Sequence, residues 1–542
     1  MKRYIFLGII IIAAFLRLYN LSNVPPSPSL DEVSIGYNAY ALLATGKDEY
    51  GTSFPLLLRA YDDYRPALYV YLTIPFVYGM GLTAAAVRMP SVLLSLLTIW
   101  AAYGIGIIIA KKLAKPDGFA YIPAVLLAIS PWHIYISRLG HEANLGLALV
   151  TLGVYFFVDA AVRGNKYSWI LSAAFMALSL HGYQSEKLVS TLIAGLGGII
   201  FWKEIIKAKQ YIVGAIIVGL LIAIPAIAIT FSPQGMSRFS GTSAFSPDDP
   251  QVRAAVEKYV AAKQKNDRLG QIVHSKYVTY PSIFIKNYTS HFSPAWLFKG
   301  DDREAHKVPG MGLLYMWEAP FVVLGLIALM SSGLPVRIIL FILVCLLSAA
   351  IPAAVTTQAP HAMRAYTVIP VLQVIEALGF WWIMRLLDNR KKQLFTFVIG
   401  IVIAGSLQTF WRGYFIRFPN EQSDSFQYAV AAAVSYAQKE KGNYSRIEVA
   451  NQGALNQSYM FFLFYTEFDP GQYLATGGTS TGRFEAAHAF DRYAFGFLPK
   501  KEEDLKPGIL YLYDIEHVPV GVRVIERFSN KDGKPVIAAV RK

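Results

Sequence analysis

Apolar runs close to the length of a membrane span recur along this chain from Tyr4 to about Trp411, and they limit the fold more than any other feature. A helix needs about 20 residues to cross a hydrocarbon core of about 30 Å while satisfying its own backbone hydrogen bonds. After the run that begins at Tyr4, spans are expected near 89–110, 119–136, 142–162, 167–184, 186–202, 211–231, 312–331, 337–354, 366–387 and 393–411, about eleven in all. The composition agrees: 54% of residues are hydrophobic and 16% charged, which excludes an ordinary soluble domain. The formal net charge of +14 does not call for nucleic acid, because basic excess in a multispanning protein marks loops beside anionic lipid. The single cysteine, Cys345, lies inside an apolar run and excludes an intrachain disulfide.

The amino-terminal segment is basic and then apolar, like a signal peptide, but no small-residue cleavage site follows and Arg17 interrupts it. It reads as a retained signal anchor with its amino end in the cytoplasm. The positive-inside rule then tests the tyrosine-rich stretch Tyr69 to Gly81. Without a crossing there, loops carrying Lys111, Lys112, Arg163, Lys166, Lys203, Lys207, Arg337, Arg390 and Lys391 face the cytoplasm; with one, the bias reverses. That stretch is therefore read as a helix that lies in the interface or dips in and out. Residues 20–88 and 232–311 become outer loops of a domain covering 1–411, and 412–542 becomes an extracytoplasmic tail. In the tail, "SFQYAVAAAVSYAQKEKG" has helical spacing, "RIEVAN" and "GILYLYDI" read as strands, and "DPGQ" and "ATGG" read as turns. The expected architecture is an all-α polytopic domain in the cell membrane with a small extracytoplasmic α/β domain.

Ionisable residues gather at the outer ends of these segments. They include the adjacent acids Asp31 and Glu32, the arginines Arg65, Arg88, Arg138 and Arg364, and His141, Glu142, His181, Gln184 and His361. Glu318 and Glu376 stand apart as acids near or inside apolar runs, where ionisable groups mark function. Taken singly, an arginine at a helix end is an anchor and an acid pair in a loop is solvated; four arginines on the side that also holds two acids point further. A guanidinium fork binds phosphate oxygens and stays charged, and each charge-assisted hydrogen bond contributes roughly 1.5–3 kcal/mol. A carboxylate can accept the proton of an attacking hydroxyl. Acid plus phosphate clamp implies glycosyl transfer from a lipid-linked donor.

The ordered stretches "LDEVSIGYNAY", "YRPALYVYL", "GLTAAAVRMPSVLLSLLTIWAAYGIG", "AISPWHIYISRLGHEANLGLALVTLGVYFF" and "PHAMRAYTVIPVLQVIEALG" resemble the GT-C glycosyltransferases, in the branch of protein O-mannosyltransferases and lipid A aminoarabinose transferases. The resemblance implies a polyprenyl-phosphate-linked sugar donor used on the extracytoplasmic face, and Asp31 as catalytic carboxylate with Glu32 its partner. It further implies donor-phosphate contacts from Arg65, Arg88, Arg138, His361 and Arg364. "RPAL" replaces the family's Lys-Pro-Pro-Leu pattern, and Glu142 stands about one position from where the family has an Asp. His141, Glu142, His181 and Gln184 are candidates for the acceptor or a metal site. No cofactor is firmly implied, and a divalent metal held by Asp31, Glu32, His141 and Glu142 stays open. The implied reaction is a single displacement with inversion onto a protein, lipid or glycan acceptor. The competing readings are a lipid-linked sugar transporter or flippase, which would favour midplane charges and repeats, and a membrane scaffold indifferent to Asp31.

Overall fold

The computed structural model describes residues 2–61, 63–113, 118–300, 306–480 and 487–542. The chain divides into two compact units. A helical unit comprises Met1–Leu16, Leu94–Ile136 and Ala143–Phe410, and a mixed unit comprises Arg17–Leu93, Ser137–Glu142 and Trp411–Lys542.

Among the described residues, six helices are long and apolar enough to cross a membrane: Ala84–Ala110, Glu142–Arg163, Lys209–Thr230, Val336–Ala354, Val368–Leu386 and Asn389–Glu421. The chain is a multi-pass membrane protein, and the count of about eleven is not reached. Hydropathy windows count apolar residues but not helix breaks. The expected span 119–136 is two helices, Tyr121–Ile129 and Pro131–Ser137, because Ser130 precedes a proline and turns extended at ψ 124°. Expected spans 167–184 and 186–202 form helices of only 12 and 15 residues. The tyrosine-rich stretch is a 13-residue helix, Leu68–Met80, about 20 Å long and so short of a full crossing.

In the helical unit, Phe157 stacks on Phe341 at 4.9 Å and meets Trp169 and Phe201 edge-on, with Cys345 buried in the same core. The helices Ala319–Ser331 and Val368–Leu386 touch backbone to backbone. A Cβ on Gly325 would sit 1.9 Å from the Ile375 carbonyl oxygen, and one on Gly379 2.3 Å from that of Phe321. The loop region after 231 folds into short helices started by Ser232, Asp249 and Asp267, whose side chains accept the first free amides.

The mixed unit holds the helix Leu30–Thr45, the hairpin β1 (Leu57–Ala60) and β2 (Asp63–Pro66), and a six-stranded sheet. That sheet comprises β3 (Arg446–Ala450), β4 (His488–Phe490), β5 (Tyr493–Gly496), β6 (Ile509–Asp514), β7 (Val524–Ser529) and β8 (Pro535–Val540), in the order β4-β5-β3-β6-β8-β7. β3 runs parallel to β5 and β6, and the remaining pairs are antiparallel. The helix Tyr428–Glu440 buries Ala429, Val430, Ala433, Val434 and Ala437, a stripe at helical spacing. The "DPGQ" turn is instead a helix start: Asp469 caps Gln472 N and Pro470 occupies the first turn of Pro470–Ala475.

Candidate active site

Ser29 opens the helix that carries both acids. Its hydroxyl accepts from Glu32 N at 3.3 Å while Glu32 Oε2 accepts from Ser29 N at 2.8 Å, a reciprocal capping box. The two acids then part. Glu32 is buried, takes Arg88 Nε at 2.7 Å and Arg88 Nη2 at 3.1 Å, and also accepts from Gly140 N at 2.8 Å. Asp31 keeps 47% of its side-chain surface open and accepts from Arg65 Nη2 at 2.6 Å.

The hairpin aims Arg65. Arg65 pairs with Leu58 across β1 and β2, and the Tyr61 hydroxyl at the turn donates to Leu30 O at 2.9 Å, tying the hairpin to the helix start. Burial alone would lower the Arg65 pKa, but the charges of Asp31 and Glu142 reverse the sign and leave it raised. Its second terminal nitrogen, Nη1, is buried without a hydrogen-bond partner among the described residues, as is Glu142 Oε2, which lies 3.7 Å from His141 Nδ1.

Arg88 and Arg138 do different work. Arg88 is fully buried and directs its five N–H groups to Glu32 and to the carbonyls of Leu21, Pro25 and Ser27. Arg138 donates to the carbonyls of Arg17, Tyr19 and Val24 at 2.6–2.8 Å and lies under Tyr414 and Phe415; burial lowers its pKa. Both fasten the segment 17–27 in place, so the expected phosphate contacts find these guanidinium groups turned inward.

Asp31, Glu32, Arg65, Arg88, Arg138, His141 and Glu142 all belong to the mixed unit, whereas His181, Gln184, His361 and Arg364 belong to the helical unit. His181 Nε2, in the turn after the helix Ser168–Ser179, is 2.8 Å from Ile222 O in the helix Lys209–Thr230. His361 N donates to His291 Nε2 at 3.1 Å, and Arg364 Nη1 donates to Thr356 Oγ1 and Thr357 O at 2.9 and 2.7 Å. Gln184 and Arg364 line one cavity of about 510 Å³, together with Lys187, Leu188, Phe231 and Val355. Glu318 and Glu376 meet each other and Gln373 in the interior of the helical unit.

Among the described residues no group of three or more His, Cys, Asp or Glu side chains is arranged to hold a metal. The oxygen-rich set of Asp31, Glu32, His141 and Glu142 does not converge, because Glu32 is turned onto Arg88. Residues that sequence reasoning passed over are Asn38, Asp48 and Glu49. Glu49 is buried and held by Asn38, Thr479 and Tyr459. The signal was present: "KDEYG" repeats the acid pair of "LDEV", and Asn38 follows Asp31 by seven residues, one helical face.

No protein-family model and no curated protein matches this chain. Among solved structures it is similar to ArnT from Cupriavidus metallidurans bound to undecaprenyl phosphate, with 11% identity and a TM-score of 0.52 over 99% of this chain and 98% of that one. It is also similar to the Archaeoglobus fulgidus oligosaccharyltransferase tethered to an acceptor peptide, with 11% identity and a TM-score of 0.51 over 85% of this chain and 62% of that one. The same archaeal protein, AglB, in complex with an inhibitory peptide and a dolichol-phosphate, aligns at 10% identity and a TM-score of 0.50. The chain thus spans less than two thirds of the length of the archaeal protein. Identities this low establish shared architecture alone: the chain has the fold of these two membrane proteins.

Proposed function

We propose that this protein is an integral membrane glycosyltransferase that moves a sugar from a polyprenyl-phosphate-linked donor to a protein, lipid or glycan acceptor, with inversion at the anomeric carbon. The observation that carries the reading is the Asp31–Arg65 pair. A half-open carboxylate is fixed at 2.6 Å by a buried guanidinium whose other terminal nitrogen has no hydrogen-bond partner among the described residues. In that role the Asp31 carboxylate accepts the proton of the acceptor's nucleophile as it bonds to the anomeric carbon. The bond from that carbon to the phosphate oxygen breaks, and its electron pair leaves on the lipid phosphate. Arg65 holds Asp31 in its rotamer and offers Nη1 to developing negative charge.

The cavity of the helical unit supports a lipid donor: Leu188, Phe231 and Val355 suit an isoprenoid chain, while Arg364, Lys187 and Gln184 suit a phosphate. The neighbours of like fold were captured with undecaprenyl phosphate and with dolichol-phosphate. In this reading Arg88 and Arg138 serve architecture, and Arg65 remains the arginine beside the catalytic carboxylate.

The test is to incubate purified protein with a panel of lipid-phosphate sugars and to follow released lipid phosphate and candidate acceptors by mass spectrometry. Transfer that depends on Asp31 and on Arg364 supports the reading. Movement of lipid or sugar across vesicles with no new glycosidic bond overturns it.

A further inference from the structure

Two turns beyond Asp31, on the same face of its helix, Asn38 clasps Glu49. Asn38 Nδ2 donates to Glu49 Oε1 at 3.1 Å, and Asn38 Oδ1 accepts from Glu49 N at 2.9 Å. The other carboxylate oxygen accepts from Thr479 Oγ1 at 2.8 Å and from the Tyr459 hydroxyl at 3.4 Å. Behind Thr479, the Tyr473 hydroxyl lies 2.7 Å from Thr479 Oγ1 and 2.7 Å from His488 Nε2. All of these side chains are buried within the mixed unit.

Counting protons orients the row, since each hydroxyl has a single hydrogen. With Glu49 ionised, Thr479 donates to it, Tyr473 donates to Thr479, and His488 Nε2–H donates to Tyr473. With a proton on the Glu49 oxygen that faces Thr479, the row is free to reverse: Glu49 donates to Thr479, Thr479 to Tyr473, and Tyr473 to an unprotonated His488 Nε2. Ionised Glu49 thus fixes the direction of three hydrogen bonds, and a single proton there releases that constraint.

Burial pushes the Glu49 carboxyl up to about 7, against the hydrogen bonds from Asn38, Thr479 and Tyr459, so both arrangements are within reach near neutrality. The other groups around it are Asp48 and Tyr50 on its own loop, Tyr37 on the helix, Tyr61 at the hairpin turn and Tyr473 beyond Thr479. Arg59 lies over Tyr50 and acts on Asp48. Burial, first among the causes, raises Tyr37, Tyr61 and Tyr459, which stay protonated while Glu49 titrates.

We propose that Glu49 is a positioning residue whose protonation sets how firmly Thr479, Tyr473 and His488 hold the helix that presents Asp31. The inference rests on Asp31 being the catalytic carboxylate, because only then does the grip on that helix reach the chemistry. The experiment is hydrogen–deuterium exchange of residues 30–45 in the full-length protein, corrected for intrinsic exchange, across about pH 6 to 8.5. Wild type is expected to lose roughly tenfold in protection as pH rises through that window, and Glu49→Gln to show a flat profile. A flat wild-type profile, or a pH step retained in Glu49→Gln, overturns the proposal. Should Glu49→Gln fail to fold, Thr479→Val decides: it removes one donor to the carboxylate, so the step moves to higher pH, and an unmoved midpoint overturns the idea. Transfer measured on the same samples separates the two readings. Wild type inactive with every donor refutes the proposed function, while the exchange profile still judges the clasp. With active wild type, Glu49→Gln loses the corresponding limb of the pH profile, where a merely structural residue would scale the whole profile.

Discussion

Asp31 and Glu32 are neighbours in the chain, each holds an arginine, and their surroundings are opposite. The Asp31–Arg65 pair leaves 47% of the carboxylate side chain open and one guanidinium nitrogen without a hydrogen-bond partner among the described residues, whereas the Glu32–Arg88 pair is sealed. Consecutive residues of a helix point about 100° apart. That rotation puts Glu32 against Gly140 N and Arg88, and turns Asp31 toward the hairpin. A sealed pair with every lone pair used is architecture, and an open pair with capacity to spare is available for chemistry.

The largest effect expected from this contrast is on turnover. Asp31→Asn keeps the volume but removes the proton acceptor of the proposed reaction, so transfer is expected to fall by roughly 10²–10⁴-fold. Unfolding stability should change less than for a fully buried pair, because Asp31 is half open and asparagine keeps an acceptor oxygen for the buried Arg65. Equal losses in rate and thermal stability would erase the distinction between the two acids. Arg88→Met attacks the sealed pair and leaves Glu32 buried without its partner, at a cost of about 3–5 kcal/mol. Adding Glu32→Gln should restore part of it, and a single variant that melts with wild type would show that the pair is not structural.

A third comparison is with Glu49, sealed like Glu32 but without an arginine among the partners described above. Its folded pKa is raised from 4.5 to about 7. The folded protein therefore binds this proton more tightly than the unfolded chain, and the stability so gained is full below about pH 4.5 and lost as pH rises through about 7. Glu49→Gln should exceed wild type in stability by roughly 3 kcal/mol above about pH 8, with the gap closing in acid. Denaturant titrations at both pH values check the sign. The smallest effect comes from the packing that seats the helix: a Cβ on Gly36 would lie 2.6 Å from Phe464 Cε2 and 2.8 Å from Val87 Cγ2. Gly36→Ala should cost about 1–3 kcal/mol by overpacking, read from the thermal midpoint.

Local chemistry made much of this legible in one dimension. Apolar runs announced a multi-pass protein, and "RIEVAN" and "GILYLYDI" announced the β3 and β6 strands. Helix breaks such as the one at Ser130–Pro131 were harder to see inside an apolar window, and among the described residues six helices meet the length and composition of a span.

The sequence alone determined the membrane class, the ordered motifs and the set of charged residues from which a site could be built, because hydropathy, capping and turn chemistry act between residues close along the chain. Tertiary structure decided which charges face outward and which are consumed. Arg88 and Arg138 look like Arg65 in the sequence, yet their N–H groups meet the carbonyls of segment 17–27. Glu49 reads as a loop acid until Thr479, 430 residues away, closes over it. Burial and hydrogen-bond satisfaction are set by partners distant in the chain, and only the folded packing brings those partners together.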